Sequence, residues 1–279
     1  MRKVKHEFVQ IAKGLRGAEG PVFDREGRLF MVAPGEGRIV EVDENGTVRT
    51  YAQTGGVPAG LQVDRENALW CADMRRGVLR IPAPDRVEPV VTEYEGQPIR
   101  GCNDCIFDSR GNLYFTAPGG SSAANPVGEV FCRTAEGRVV RLDSGFRFCN
   151  GIAVSADDRW LFVAETFTKK VWRYEILAPG SVGPRQDWAT LPGAHHGGPD
   201  GMDFDAAGLL LVTNHGAGTI DVFAPDGALV QRIRTPFAKP SNLHFGGPQG
   251  RWVYVTEHDE DGLWKFQWDR PGQPQYGLT

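Results

Sequence analysis

Four side chains along this chain share one chemistry and one register. Glu19, Asn103, Asn150 and Asp200 each open a six-residue stretch of the same shape: EGPVFD, NDCIFD, NGIAVS and DGMDFD. Two carboxylates and two carboxamides, with neither Cys nor His among them, make a hard-oxygen donor set. Such a set suits Ca2+, which takes about 6–8 oxygens and would keep about two to four places for water or substrate. Mg2+ retains more of its own water, and zinc asks for nitrogen or sulfur ligands. Asn, Asp and Gly also begin strands and make turns in any β protein, so each residue read alone is a turn residue. Four oxygen donors at one place in a repeat point instead to a central metal.

The elements that must position them follow from the same pattern. It recurs as AGLQVD at Ala59 and SNLHFG at Ser241, so six openings stand 40, 44, 47, 50 and 41 residues apart. Each is followed by a short turn and an apolar run, such as LFMVAP, ALWCAD, WLFVAE or WVYVTE. Spacings of ~40–50 residues, each with room for four strands, are those of propeller blades. In the fifth repeat GMDFD, LLLVTNH, TIDVFA and ALVQRIR are strand-sized and punctuated by Gly, Asp and Asn. No segment sustains a 3.6-residue apolar period. The expected fold is all-β: a six-bladed β-propeller of four-stranded antiparallel blades around a central tunnel, one domain over residues 1–279. The sixth repeat is one strand short after LWKFQWD, and HEFVQIA near the N-terminus is expected to supply the missing outer strand. The first column of the repeat (Glu19, Ala59, Asn103, Asn150, Asp200, Ser241) then rings the tunnel mouth.

Composition excludes several functions. A net charge of −4 argues against a nucleic-acid surface, which needs a basic stripe. No run approaches the ~18 apolar residues of a membrane span. The N-terminal MRKVKHEFVQIAKGL lacks the apolar stretch of a secretory signal. Five cysteines are an odd number without a framework, which reads as a reducing, cytoplasmic setting. Cys102 and Cys105 form one C-x-x-C without the second ligand pair that structural zinc needs, and they are expected as two half-buried thiols. The G-x-S-x-G, H-E-x-x-H and Walker patterns are missing.

At the repeat openings and beyond, the chain resembles the calcium-dependent diisopropylfluorophosphatase family, within the senescence-marker-protein/gluconolactonase superfamily of propellers. The resemblance runs through GAEGPVFD, VPAG, ADMRRG, GCNDCIFDSRGNL, TAPGG, FCNGIAV, VAETFTKKVW, HHGGPDGMDFD, VFAPDG, RIRTPFAKPSNLHF, VTEHD and WKFQW, in order over nearly the whole chain. It implies that Glu19, Asn103, Asn150 and Asp200 hold a catalytic Ca2+. It also implies that Asp203, the Leu243 carbonyl and His244 hold a second, structural Ca2+; read without it, His244 is a satisfied core histidine. Val57, Met74, Phe148, Thr166, Ser241 and His258 carry over as pocket-lining positions. His258, an imidazole able to take a proton near neutral pH, ranks below Asp200.

The chain departs from the family at His215, where a pocket tryptophan is expected, and in shorter loops at 117–128 and 35–38. The implied activity is hydrolysis of an activated organophosphorus ester or P–F bond, with Asp200 as nucleophile or as base for water. Hydrolysis of a sugar or other lactone with the same metal set is the alternative, and a non-catalytic scaffold is the third reading. The substrate is a small molecule and the enzyme a monomer. His195 and His196 read as loop residues in a Gly-rich turn. Asp73 and Glu165, which end second strands, are either structural turn acids or pocket acids.

Overall fold

The computed structural model describes residues 6–278. Six antiparallel blades follow one another along the chain, with a separate two-stranded hairpin, Glu93–Tyr94 with Gln97–Pro98, after the second. In blade 1 the strands Glu19–Phe23, Leu29–Ala33, Arg38–Val42 and Val48–Gln53 pair in sequence order from the inside outward. Blades 2, 3 and 5 repeat this plan from the innermost strands Pro58–Val63, Cys105–Phe107 and Pro199–Phe204. Blade 4 begins at Cys149–Val154 and adds the two-residue strand Ser181–Val182 beside Lys170–Ala178. Blade 6 begins at Pro240–Gly246, and its outer strand is Val9–Ala12, paired antiparallel with Gly262–Gln267. The ring therefore closes as expected, and the second strand of each blade is almost wholly buried, Leu29–Ala33 along its whole length, because it has blades on both faces. The basic residues 1–5 lie outside the described residues.

The repeat pattern has a physical content at each end. Its last column holds Asp24, Asp64, Asp108 and Asp205, whose Oδ1 atoms accept the amides two and four residues on at 2.8–3.0 Å. A carboxylate that caps its own turn returns the chain into the second strand. The apolar positions between fill six clusters, one for each pair of neighbouring blades. Between blades 2 and 3, for example, Phe115 stacks on Phe131 at 5.3 Å and Trp70 meets Phe107 edge-on at 5.5 Å. All five cysteines are unpaired and buried, Cys102 and Cys105 fully rather than half, and burial pushes the thiols of both upward. No helix among the described residues is long and apolar enough to cross a membrane.

Candidate functional site

The opening column of the repeat lies where each innermost strand breaks register with its neighbour. The pairing slips between Glu19 and Val22, Pro58 and Gly60, Cys149 and Ile152, Pro199 and Met202, and Pro240 and Leu243. A bulge re-aims a side chain that the pleat would send sideways. Asn103 sits just before its strand, with its amide on the Thr116 carbonyl at 2.9 Å. The residue after the column is glycine in four blades, because adjacent inner strands approach closely. A Cβ on Gly151 would stand 2.1 Å from the Asp200 carbonyl, and one on Gly201 would stand 2.1 Å from Asn242 Oδ1. The two exceptions, Asp104 and Asn242, bring polar side chains into the ring.

These residues form one electrostatic unit. Glu19 is pushed well above the carboxylate range by burial, then by the charges of Asp200 and Asp104. Burial and Asp104 push Asp200 the same way, while a bond from Asn150 opposes them. Asp104 is pushed up to about 7, chiefly by burial, although the amides of Cys105 and Ile152 donate to it at 2.9 and 3.4 Å. The Asn242 side chain hydrogen-bonds both Glu19 and Asp104. The Asn150 Nδ2 donates to Thr166 Oγ1 at 3.1 Å, and Thr166 donates to the Pro199 carbonyl at 2.8 Å. With its amide nitrogen engaged by Thr166 and Asp200, the Asn150 oxygen is left as an acceptor. Desolvated carboxylates that raise one another, beside oriented amide oxygens, fit a hard cation, which would supply the missing countercharge. No group of three or more His, Cys, Asp or Glu suited to a metal occurs among the described residues; the donors here are mixed carboxylate and carboxamide.

Around this ring, His258 Nε2 lies 3.5 Å from Glu19 Oε1, and its Nδ1 lies 3.3 Å from His215 Nε2. Burial lowers both imidazoles, His215 to about 4, so both are neutral near pH 7. Phe148 takes a left-handed backbone (φ 70°) and turns its ring toward Phe167 at 5.7 Å. The Met74 amide donates to the Val57 carbonyl at 2.8 Å, which ties these two wall positions together. Ser241 is fully buried, and its hydroxyl lies between the Ala18 carbonyl (2.9 Å) and Thr256 Oγ1 (2.8 Å), joining blades 6 and 1.

Below the ring, three residues further along the inner strands, Asp203 Oδ2 lies 3.2 Å from His244 Nδ1. His244 Nε2 is buried with no hydrogen-bond partner. Burial lowers this imidazole in spite of Asp203, so it is neutral and presents a lone pair. It faces a chamber of about 20 Å³ lined also by Gln62, Asp104, Asn242 and Leu243. An orphaned ring nitrogen beside a buried carboxylate, in room for one water-sized particle, likewise fits a cation.

The two acids left open by the sequence are structural. Asp73 Oδ1 accepts the amides of Val57, Arg75 and Arg76 at 2.9–3.0 Å, and Oδ2 accepts Thr54 Oγ1 at 2.9 Å. Glu165 accepts the Arg147 amide (2.5 Å), Thr168 Oγ1 (2.7 Å) and Trp172 Nε1 (2.8 Å). His195 and His196 lie in the loop before Pro199, where Lys169 Nζ donates to the His195 and Gly197 carbonyls at 2.8 Å. Asp104, Asn242 and Gln62 are the ring and chamber residues that reading the repeats missed. The signal was available for the first two, since they interrupt a glycine column.

Residues 6–259 match the family described as SMP-30/Gluconolactonase/LRE-like region. The chain is 42% identical to the diisopropyl-fluorophosphatase of Loligo vulgaris, over 98% of this chain and 95% of that one. It is 30% identical to a pentonolactonase of Haloferax volcanii, over 88% of this chain and 83% of the relative. The structure of a calcium-binding protein, regucalcin, from Agrobacterium tumefaciens superposes with a TM-score of 0.80 at 21% identity, covering 95% of this chain and 93% of that one.

Proposed function

For a chain that belongs to the SMP-30/gluconolactonase/LRE-like family and is a hydrolase acting on ester-type bonds, we propose a calcium-dependent phosphotriesterase that cleaves activated organophosphorus esters or P–F bonds. The observation that carries this reading is the 42% identity to a diisopropyl-fluorophosphatase over 98% of the chain. The convergence of Glu19, Asn150 and Asp200 as desolvated, mutually raising or orienting donors supports it. Glu19, Asn103, Asn150 and Asp200 would hold the catalytic ion. When bound, Ca2+ supplies a Lewis acid that polarises the phosphoryl oxygen. Asp203, the Leu243 carbonyl and His244 would hold a second, structural Ca2+. The calcium-binding description of the structurally similar regucalcin accords with that choice of ion.

Within this frame the side chains have distinct tasks. The Asp200 carboxylate attacks phosphorus, the P–F or P–O bond to the leaving group breaks, and water then attacks the carboxyl carbon of the aspartyl phosphate, releasing the phosphorus acid and restoring Asp200. Alternatively, water attacks phosphorus while Asp200 or Glu19 takes its proton. Thr166 holds the Asn150 amide in one orientation. His258 lies against Glu19 and supports its position. A single turnover in oxygen-18 water separates the two routes. Attack by Asp200, followed by water at its carboxyl carbon, places the label in Asp200 and leaves the first product unlabelled. Label confined to the first product sinks that route.

Lactone hydrolysis is the second reading, favoured by the 30% identity to a pentonolactonase and by a wall made of two imidazoles, His215 and His258, at 3.3 Å. Parallel rates on a fluorophosphate and a panel of lactones, with and without chelator, decide between them. We expect chelator and Asp200→Asn to lower whichever rate is larger by at least about a hundredfold. Undiminished hydrolysis in chelator removes the calcium reading. Five unpaired, buried cysteines accord with a reducing, cytoplasmic setting.

A further inference from the structure

Residues 269–278 cross the face of the propeller opposite the ring of Glu19 and Asp200, and their contacts reach all six blades. In blade 6 the Gly272 amide donates to the Gly250 carbonyl at 3.0 Å. In blade 5 the Gln273 amide donates to the Phe204 carbonyl, and the Ala206 amide to the Pro271 carbonyl, both at 2.9 Å. In blade 4 Gln273 Nε2 donates to the Val154 carbonyl at 2.8 Å. The Tyr276 ring lies 4.9 Å from Phe107 of blade 3, with the Arg65 guanidinium from blade 2 at 4.6 Å over it. Arg25 Nε, from blade 1, donates to the Gly277 carbonyl at 2.5 Å.

The seating is closely fitted. A Cβ on Gly277 would stand 2.3 Å from the Val63 carbonyl oxygen, and one on Gly111 would stand 2.5 Å from the Tyr276 hydroxyl. Midway along the segment, Gln275 Nε2 donates to Asp203 Oδ1 at 3.4 Å. Through Gln275 the segment thus reaches a carboxylate that lines the Asp203–His244 chamber. Asp104 and Asn242, which also belong to the ring of Glu19 and Asp200, line the same chamber.

We propose that residues 269–278 are a strap that seals the tunnel floor and sets the rate at which an ion enters or leaves the Asp203–His244 chamber. The proposal rests on reading Asp203, Leu243 and His244 as an ion site. An ion held there leaves either through the carboxylate ring or past the strap. Lifting the strap breaks backbone and side-chain bonds to several blades at once, so exchange is slow while the six-blade attachment holds. The ring of Glu19 and Asp200 lies on the face away from the strap, so an ion there exchanges without the strap lifting.

The test uses the full chain loaded with Ca2+, its ion content counted, and then mixed with a fluorescent chelator in a stopped-flow instrument. Wild type is expected to carry two ions and release them in one fast and one slow phase. Tyr276→Ala removes the ring under Arg65, and Gly277→Val drives a side chain into the Val63 carbonyl. Each should accelerate the slow phase at least tenfold and leave the fast phase unchanged. Circular dichroism and a thermal melt establish that each variant is folded, and Tyr276→Ala serves if Gly277→Val is not. Two ions per chain with an unchanged slow phase in a folded variant overturns the strap. Equal acceleration of both phases overturns it too, since that is general loosening. Fewer than two ions in wild type removes the reading of the lower site, and the strap proposal with it.

Discussion

Asp104 offers a direct measurement of the charge stored in the ring. Burial pushes this carboxyl from 3.8 up to about 7, and the charge of Asp203 adds to the effect. A carboxyl whose folded pKa lies above its unfolded value binds its proton more tightly in the fold. That stability is therefore complete below pH ~4 and lost as the pH rises through ~7. A rise of about three units corresponds to about 4 kcal/mol in the metal-free protein once both states are ionised. Asp104→Asn keeps the size and an acceptor for the Cys105 amide but cannot ionise. Its loss of the second acceptor, which faces the Ile152 amide at 3.4 Å, is a pH-independent offset.

Urea unfolding followed by tryptophan fluorescence in chelator, from pH 4.5 to 8.5, isolates the titrating part. The stability of Asp104→Asn relative to wild type should rise by about 3 kcal/mol across that range. Glu19 and Asp200, both raised in part by Asp104, contribute with the same sign. Added Ca2+ should flatten the difference, because a nearby cation favours the charged form. Parallel pH profiles for the two proteins in chelator would refute the account of a desolvated, mutually repelling ring.

Thr166→Val removes the hydroxyl that fixes the Asn150 amide. It should weaken calcium binding, lower kcat about tenfold and, because the buried Pro199 carbonyl also loses its donor, cost about 1–3 kcal/mol, as calcium titration, steady-state rates and denaturant unfolding will report. Asp73→Asn unsettles a buried carboxylate that accepts four bonds. It should cost about 2–4 kcal/mol in denaturant unfolding while kcat at saturating calcium stays within about twofold, as expected of a structural acid. His215→Phe replaces one member of the imidazole pair with an apolar ring of similar size. The ratio of kcat/KM for a fluorophosphate to that for a sugar lactone should rise at least about fivefold; an unchanged ratio removes His215 from substrate choice.

The repeat spacing made the blades legible because a propeller writes each structural constraint six times. The Asp24, Asp64, Asp108 and Asp205 turns, the apolar second strands and the closing strand Val9–Ala12 all follow from that redundancy. Asp73 and Glu165 stayed open because an acid at a strand end reads alike whether its partners are backbone amides or a ligand. Only the amides of Arg75, Arg76 and Arg147 settle them.

What spacing could not show is the part that breaks the repeat. Gly20, Gly60, Gly151 and Gly201 are small because neighbouring inner strands nearly touch there, so a side chain at the same position must turn inward. Asp104 and Asn242 do so, and they place a fifth polar oxygen group and a bridging amide where a column of strand openings suggested only four donors. Ser241 goes the other way, its hydroxyl holding blade 6 to blade 1. Residues 269–278 have no counterpart in the other repeats, so no internal comparison could register them, yet they contact every blade. In a fold generated by repetition, the chemistry concentrates at the exceptions. The level of Asp203 and His244 illustrates the rule: the equivalent residues of the other four blades, Val22, Gln62, Ile106 and Ala153, are apolar or amide, and the two that differ stand side by side at 3.2 Å.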